Sequence, residues 1–500
     1  MTSNNFPRDK NKDIDGGNHS QLRAAKNTVL LVMLRITGPL FGVILVLALS
    51  RFLGSEGLGR YTLAYTFLFV CGSIAPLGLN GVITREGARD YHALEKILAN
   101  ALSIVTIISI ALTAGTLLLT GLLKYDADTH TAIIILSLAI IPASLGTLLD
   151  GASMALQRAG QIAIATAVEY VLKVGGGIIL LVLGYGLNAV LLLIVISRTA
   201  ACVVQVVLLR RAKVMVGWGW DRSTLRFLIH LAPAFLGISI FATLYWRIDV
   251  LMLSQMQPVK DVGYYGAAYR ILELAMVLPQ SLCASLYPQI ATAVQGDLRT
   301  LRIIGNTALR YLIALSLPTA VCASLLAKPG LLILYGPGFD AAATTLSVLI
   351  FTLIPYGVVR YHSYLLVGAN RQRVDFILNV VMSVVNVLLN LVLIPHYSHL
   401  GTALATLIAI CVYAILQYWY LHRFLPGHGA TISLQPSVVI VTALTGACVW
   451  FLRDKELMLT IAVGAGVYLI GLLVAGFFTR AELSLFKLDK ILAKWGILRT

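Results

Sequence analysis

The sequence predicts an all-α polytopic membrane protein of about 14 transmembrane helices, and three observations carry that prediction. Hydrophobic residues make up 58% of the 500 positions and charged residues only 12%, at a mean hydropathy of +0.86. A soluble domain needs roughly 25% charged residues, so this composition belongs in lipid. The apolar residues are gathered into runs long enough to cross hydrocarbon, which takes about 20 residues of helix. The chain also repeats itself. VLALSRFLGSEGLGRYTLAY at 46–65 returns as VLMLSQMQPVKDVGYYGAAY at 250–269, with identity at Val46/Val250, Leu47/Leu251, Leu49/Leu253, Ser50/Ser254, Gly59/Gly263, Tyr61/Tyr265, Ala64/Ala268 and Tyr65/Tyr269. Each copy is the end of one apolar run, a polar turn and the start of the next. The duplicated unit is therefore a helical hairpin and, by extension, a half-protein.

In chain order the expected spans are 27–50, 61–84, 97–123, 131–150, 160–183, 188–209, 231–254, 264–293, 307–327, 342–367, 375–394, 400–422, 436–452 and 457–478. Residues 1–26 are polar and charged and precede a full-length apolar run, which reads as a cytosolic tail rather than a secretory leader. The longest polar connection, 210–230, follows the sixth span. All six cysteines lie inside apolar runs without CxxC spacing, so neither a disulfide framework nor a metal site is expected.

Orientation follows from the basic residues of the loops. With the N-terminus in the cytosol, the inner segments hold 24 Lys and Arg against seven in the outer loops. An even number of spans then places both termini in the cytosol. The net charge of +16 is explained by loops against anionic lipid headgroups, with no nucleic-acid partner required.

Seven basic residues remain inside the spans: Arg35, Lys173, Arg198, Arg247, Arg270, Arg310 and Arg360, with Glu169, Asp249 and Glu273 as the expected acids. A charge at a helix centre costs at least about 2.5 kcal/mol on insertion scales, so these groups should face water or one another. Glu169 and Lys173 are four apart on one helix face and can pair, although Lys173 can equally face a cavity. Arg35 and Arg198 have no acid three or four residues away, and Arg360 sits in the inner third of its span. Arg35, Lys173, Arg198 and Arg360 are the candidate anion ligands. Arg247, Asp249, Arg270 and Glu273 flank the second hairpin and Arg51 lies in the first, and these five form a candidate gate or ion network. Arg310 is close enough to the inner face to snorkel. Prolines at 39, 76, 142, 233, 279, 318 and 355 are candidate kinks, and Gly175–Gly177 a soft point or a close helix contact.

No catalytic constellation is present: there is no GxSxG, no GxxxxGK[ST] and no metal-ligand cluster. Transport is expected ahead of catalysis, with no cofactor beyond a coupling cation, H+ or Na+.

Three stretches add a resemblance. RFLGSEGLGRYTLAY at 51–65, RIDVLMLSQMQPVKDVGYYGAAYRILE at 247–273 with LYPQIA at 286–291, and LLILYGPGFDAAATTLSVLI at 331–350 resemble the polysaccharide biosynthesis flippases of the multidrug/oligosaccharidyl-lipid/polysaccharide exporter superfamily. The resemblance implies two pseudo-symmetric six-helix lobes around a central cavity. The N-lobe would be 27–209, a cytosolic linker 210–230, the C-lobe 231–424, with two C-terminal helices and a basic tail in 425–500. It also implies a polyprenyl-diphosphate-linked sugar as substrate, moved to the outer leaflet of the cell inner membrane by alternating access, with polysaccharide polymerase or assembly proteins as partners. A cavity rich in arginine suits such a head group, because guanidinium engages two phosphate oxygens at once. A lipid II flippase of peptidoglycan synthesis and a cation-coupled drug exporter of the same superfamily are the alternatives. The second needs cavity acids, whereas the intramembrane balance here is basic.

Overall fold

The computed structural model describes the backbone of residues 10–425 and 435–478, and their side chains except at 10–37, 39, 91–92 and 231–246. Among the described residues there is no strand. The helices are α1 Lys10–Ile74, α2 Leu79–Arg89, α3 Tyr91–Leu122, α4 Ala127–Ser137, α5 Ile140–Ala155, α6 Ala159–Tyr170, α7 Gly177–Val182, α8 Leu187–Arg211, α9 Arg222–Met256, α10 Val259–Ala293, α11 Leu298–Leu325, α12 Ala327–Tyr335, α13 Asp340–Leu349, α14 Leu353–Gly368, α15 Gln372–Phe424, α16 Pro436–Leu452 and α17 Leu457–Val474. Ten of the described helices, some running through short breaks, are long and apolar enough to cross a membrane, and Pro436–Leu452 is a shorter apolar helix. Two of the ten are bent pairs. The helix breaks at Gly54 (φ 66°) in α1 and at Ser398 (φ 49°) in α15.

Several expected kinks have a local cause. Pro142 and Pro355 each fall in the first turn of a helix, α5 and α14, that follows a non-α turn. A proline there costs little, because first-turn N–H groups have no acceptor inside the helix. Pro76 lies in the break between α1 and α2, whereas Pro279 and Pro318 are carried inside continuous helices.

The chain divides into two compact units, one of residues up to Phe52 and Leu63–Arg247, the other of Leu53–Thr62 and the residues from Ile248. The first unit has a core of Leu79, Ile83, Leu94, Leu98, Leu148 and Leu209. The second is centred on Cys283, Ile290, Leu301, Leu309, Tyr361 and Leu365, with Ile313, Val438, Val441 and Leu472 tying α16 and α17 to α11. The outward faces are as apolar as the cores: Leu118, Leu122, Ile179 and Val182 are all exposed. In water such surface would aggregate; in lipid it is the solvated surface.

The repeated hairpin has a physical reason within the second unit. A Cβ at Gly59 would stand 2.0 Å from the Val259 carbonyl oxygen, and one at Gly263 would stand 2.0 Å from that of Ser55. Each would also lie 3.1 Å from the other glycine's nitrogen. Ser55 and Val259 occupy the same place in the two copies, so the helices cross symmetrically on their equivalent glycines. Only glycine lets two backbones approach this closely.

Candidate functional site

In the first unit the chemistry gathers where α5, α6 and α8 meet. Val171–Gly176 forms a π-helical turn between α6 and α7, the single-turn bulge that accompanies functional positions in many helices. Lys173 lies in it, buried, with Nζ 3.1 Å from Glu169 Oε1 and 4.4 Å from the centre of the Tyr170 ring. The other Glu169 oxygen, Oε2, is 3.2 Å from Arg198 Nη1 on α8. One buried carboxylate therefore serves two cations. Of the glycines beside it, Gly176 and Gly177 are close contacts, where a Cβ would meet Leu193 at 2.8 Å and Leu45 at 3.0 Å, whereas Gly175 faces open space.

Glu169 and Arg198 line a cavity of about 90 Å³ with Asp150, Gln205, Thr147 and Thr166. Gln205 Nε2 donates to Asp150 Oδ1. Such a volume has room for water among these polar side chains. Asp150 was not among the expected intramembrane acids, since it closes the expected span at 150. The helix runs on to Ala155, which places the carboxylate more than a turn inside it.

In the second unit the groups disperse. Asp249 on α9 is buried and accepts from Tyr265 Oη on α10 at 2.7 Å and Thr406 Oγ1 on α15 at 3.1 Å. Arg270 and Glu273 pair at 2.7 Å, one turn apart on α10. Arg247, in the first unit by contact, places its guanidinium 4.9 Å from the Phe69 ring centre, and Arg51 is exposed just before Gly54. The side chain of Arg35 lies outside the described residues.

Arg360 is set apart by having no ion-pair partner among the described residues. Its guanidinium carbon is 5.3 Å from the Tyr364 ring centre, and its Nε, like those of Arg198 and Arg247, is buried without a hydrogen-bond acceptor. Nearby, at the end of the unit that holds the α14–α15 turn, Asp375 Oδ1 accepts from Tyr413 at 2.8 Å, Gln417 at 2.7 Å and Ser363 at 3.1 Å. Asp375, Tyr413 and Gln417 were not read from the sequence as site residues; the available signal was Tyr413 and Gln417, four residues apart on one face of α15.

The profile of the polysaccharide biosynthesis protein family matches residues 24–294, more than half of the chain. The chain belongs to that family. The profile described as lipid II flippase MurJ matches residues 176–470, so the family is part of the superfamily that also holds the lipid II flippases. Among curated relatives, the probable low-salt glycan biosynthesis flippase Agl15 of Haloferax volcanii is 21% identical over 414 residues, 80% of this chain and 84% of that one. The probable flippase AglR of the same organism is 29% identical over 176 residues, 34% of this chain and 37% of that one. The chain thus spans little more than a third of AglR. The lipid II flippase MurJ in an inward closed conformation superposes with a TM-score of 0.72 at 16% identity, over 89% of this chain and 98% of that one. This family member is a multi-pass membrane protein, and the relatives it matches are described as flippases.

Proposed function

We propose that the protein carries a polyprenyl-diphosphate-linked sugar or oligosaccharide from the cytosolic to the outer leaflet of the cell membrane by alternating access, for surface polysaccharide synthesis. The observation that carries this reading is Arg360, a part-buried guanidinium with no ion-pair partner among the described residues. A buried cation without a carboxylate is costly unless an anion visits it. Arginine is suited to phosphate oxygens, and the glycan flippases among the relatives agree with a lipid-linked glycan as cargo. Lys173 and Arg198 support the reading less directly, because Glu169 already neutralises part of their charge.

The direction has an energetic basis. If the cell interior is negative, outward movement of each negative charge gains about 2.3 kcal/mol per 100 mV, and a diphosphate carries more than one. Flipping of a fluorescent polyprenyl-diphosphate sugar in proteoliposomes should therefore slow when the imposed potential is collapsed. A rate indifferent to the potential in every ionic condition removes the electrogenic part of the proposal, and no flipping of this substrate at all removes the rest.

A further inference from the structure

The connection between α8 and α9 has features that cargo transport does not use. Residues 212–221 are pinned to the first turns of α3 by backbone hydrogen bonds. Met215 N donates to Glu95 Oε1 at 2.8 Å, Gly219 N to Ala99 O and Ser103 Oγ at 3.1 Å each, and Asp221 N to Asn100 Oδ1 at 2.8 Å. A Cβ at Gly219 would stand 3.0 Å from the Ala99 Cβ, so this residue is small because the strand of linker lies directly on the helix. The pinned segment presents large apolar side chains outward: Met215 is 77% exposed, Trp218 72% and Trp220 65%. Arg211, Lys213, Arg222 and Arg226 beside them are exposed as well.

The depth of the segment follows from α3. Its 32 residues span about 48 Å at 1.5 Å per residue, longer than the roughly 30 Å of hydrocarbon. The stretch free of charged side chains begins after Glu95 and Lys96, where the expected span 97–123 starts. Gly219 rests on Ala99 and Ser103, at the boundary, and the two tryptophans flank it.

We propose that residues 210–226 are a membrane-interface anchor that binds anionic phospholipid headgroups, with Trp218 and Trp220 seated at the hydrocarbon boundary and the basic side chains against phosphates. Tryptophan has an apolar body and one N–H donor and collects at this depth, and each basic side chain near an anionic surface adds attraction. A rigid backing matters here: because the linker is held by α3, the aromatic side chains enter the interface without an ordering cost at that moment.

Tryptophan fluorescence of the full-length protein in nanodiscs tests the proposal, with W218F/W220F as the subtraction that isolates the linker signal. That signal should be quenched more strongly by phospholipids brominated near the carbonyl end of the acyl chain than by those brominated near the methyl end. Adding phosphatidylglycerol to phosphatidylcholine should deepen the quenching. R211Q/K213Q/R222Q should lower the phosphatidylglycerol preference by up to about fivefold per charge removed and keep the shallow quenching. A linker signal untouched by brominated lipid and quenched by aqueous acrylamide would overturn the anchor and make this surface a protein-docking face. Shallow quenching that ignores phosphatidylglycerol would overturn the headgroup specificity.

Discussion

The two units solve the problem of intramembrane charge differently. In the first, opposite charges are brought together: Glu169 bridges Lys173 and Arg198, with Asp150 and Gln205 across a water-sized cavity. In the second, Arg270 and Glu273 pair within one helix, but Asp249 is held by the hydroxyls of Tyr265 and Thr406, and Arg360 lies against the Tyr364 ring, as Arg247 lies against Phe69 in the first. The difference teaches that a basic residue in a span is not by itself an anion site. Under the function proposed above, the neutralised cluster would serve as a joint between helices and Arg360 as the contact for the anion.

The sharpest break between the two would come from parallel alanine substitutions. R360A should lower flipping in proteoliposomes by at least about tenfold, the loss of a charge-assisted hydrogen bond worth roughly 1.5–3 kcal/mol, with normal insertion and abundance. Equal losses for R198A and R360A would erase the distinction. Larger in free energy, but read in stability rather than transport, is E169Q, which strands two cations near one buried position. Removing one partner of a buried pair costs about 3–5 kcal/mol, to be read as a lowered midpoint of thermal unfolding in detergent, and E169Q/K173M should recover part of it. A midpoint that does not move would mean the cluster is solvated.

Within the second unit, G263A should cost about 1–3 kcal/mol by overpacking, because its Cβ would fall on the Ser55 carbonyl oxygen. G59A/G263A should cost less than the sum, since both strain the same crossing. Strict additivity would show that the two glycines act separately. The smallest effect is one of pH at the linker. Hydrogen bonds from Ser223 and Thr224, and Lys96 at 3.1 Å, hold the Asp221 carboxyl below the usual carboxylate range. A depressed folded value gives a contribution that is complete above the ordinary pKa of about 3.9 and is lost as pH falls through the folded one. Linker tryptophan emission should therefore be flat between neutral and mildly acidic pH and shift only in strong acid, while D221N should remove that acid transition.

Much of the frame is legible in the chain because lipid imposes it. Runs of about 20 apolar residues must be helices, since no other backbone satisfies its own hydrogen bonds in hydrocarbon. The Glu169–Lys173 pair is equally legible, because a spacing of four fixes a shared face. The repeat at 46–65 and 250–269 announces two equivalent hairpins without any coordinates.

What escaped is what depends on other helices. Arg198 has no acid within a turn of its own helix, and its partner comes from α6. Asp150 reads as a span end until α5 continues past it, and Gln205 reads as an isolated polar residue until it faces Asp150. The four charges around the second hairpin share a stretch of sequence, yet Arg247 contacts a ring of the first unit, Asp249 contacts hydroxyls of α10 and α15, and Arg270 contacts Glu273.

The sequence by itself determined the membrane class, the helical content, the duplication and the family, because composition, periodicity and local spacing are properties of a single helix in lipid. Only the tertiary structure decided which charges are neutralised, why Gly59 and Gly263 must be glycine, and that Trp218 and Trp220 stand out from a segment pinned to α3. Each of these is fixed by the approach of one helix or segment to another within a few ångströms, a distance on which Coulomb attraction, steric overlap and hydrogen bonding depend steeply and which no spacing along one helix encodes.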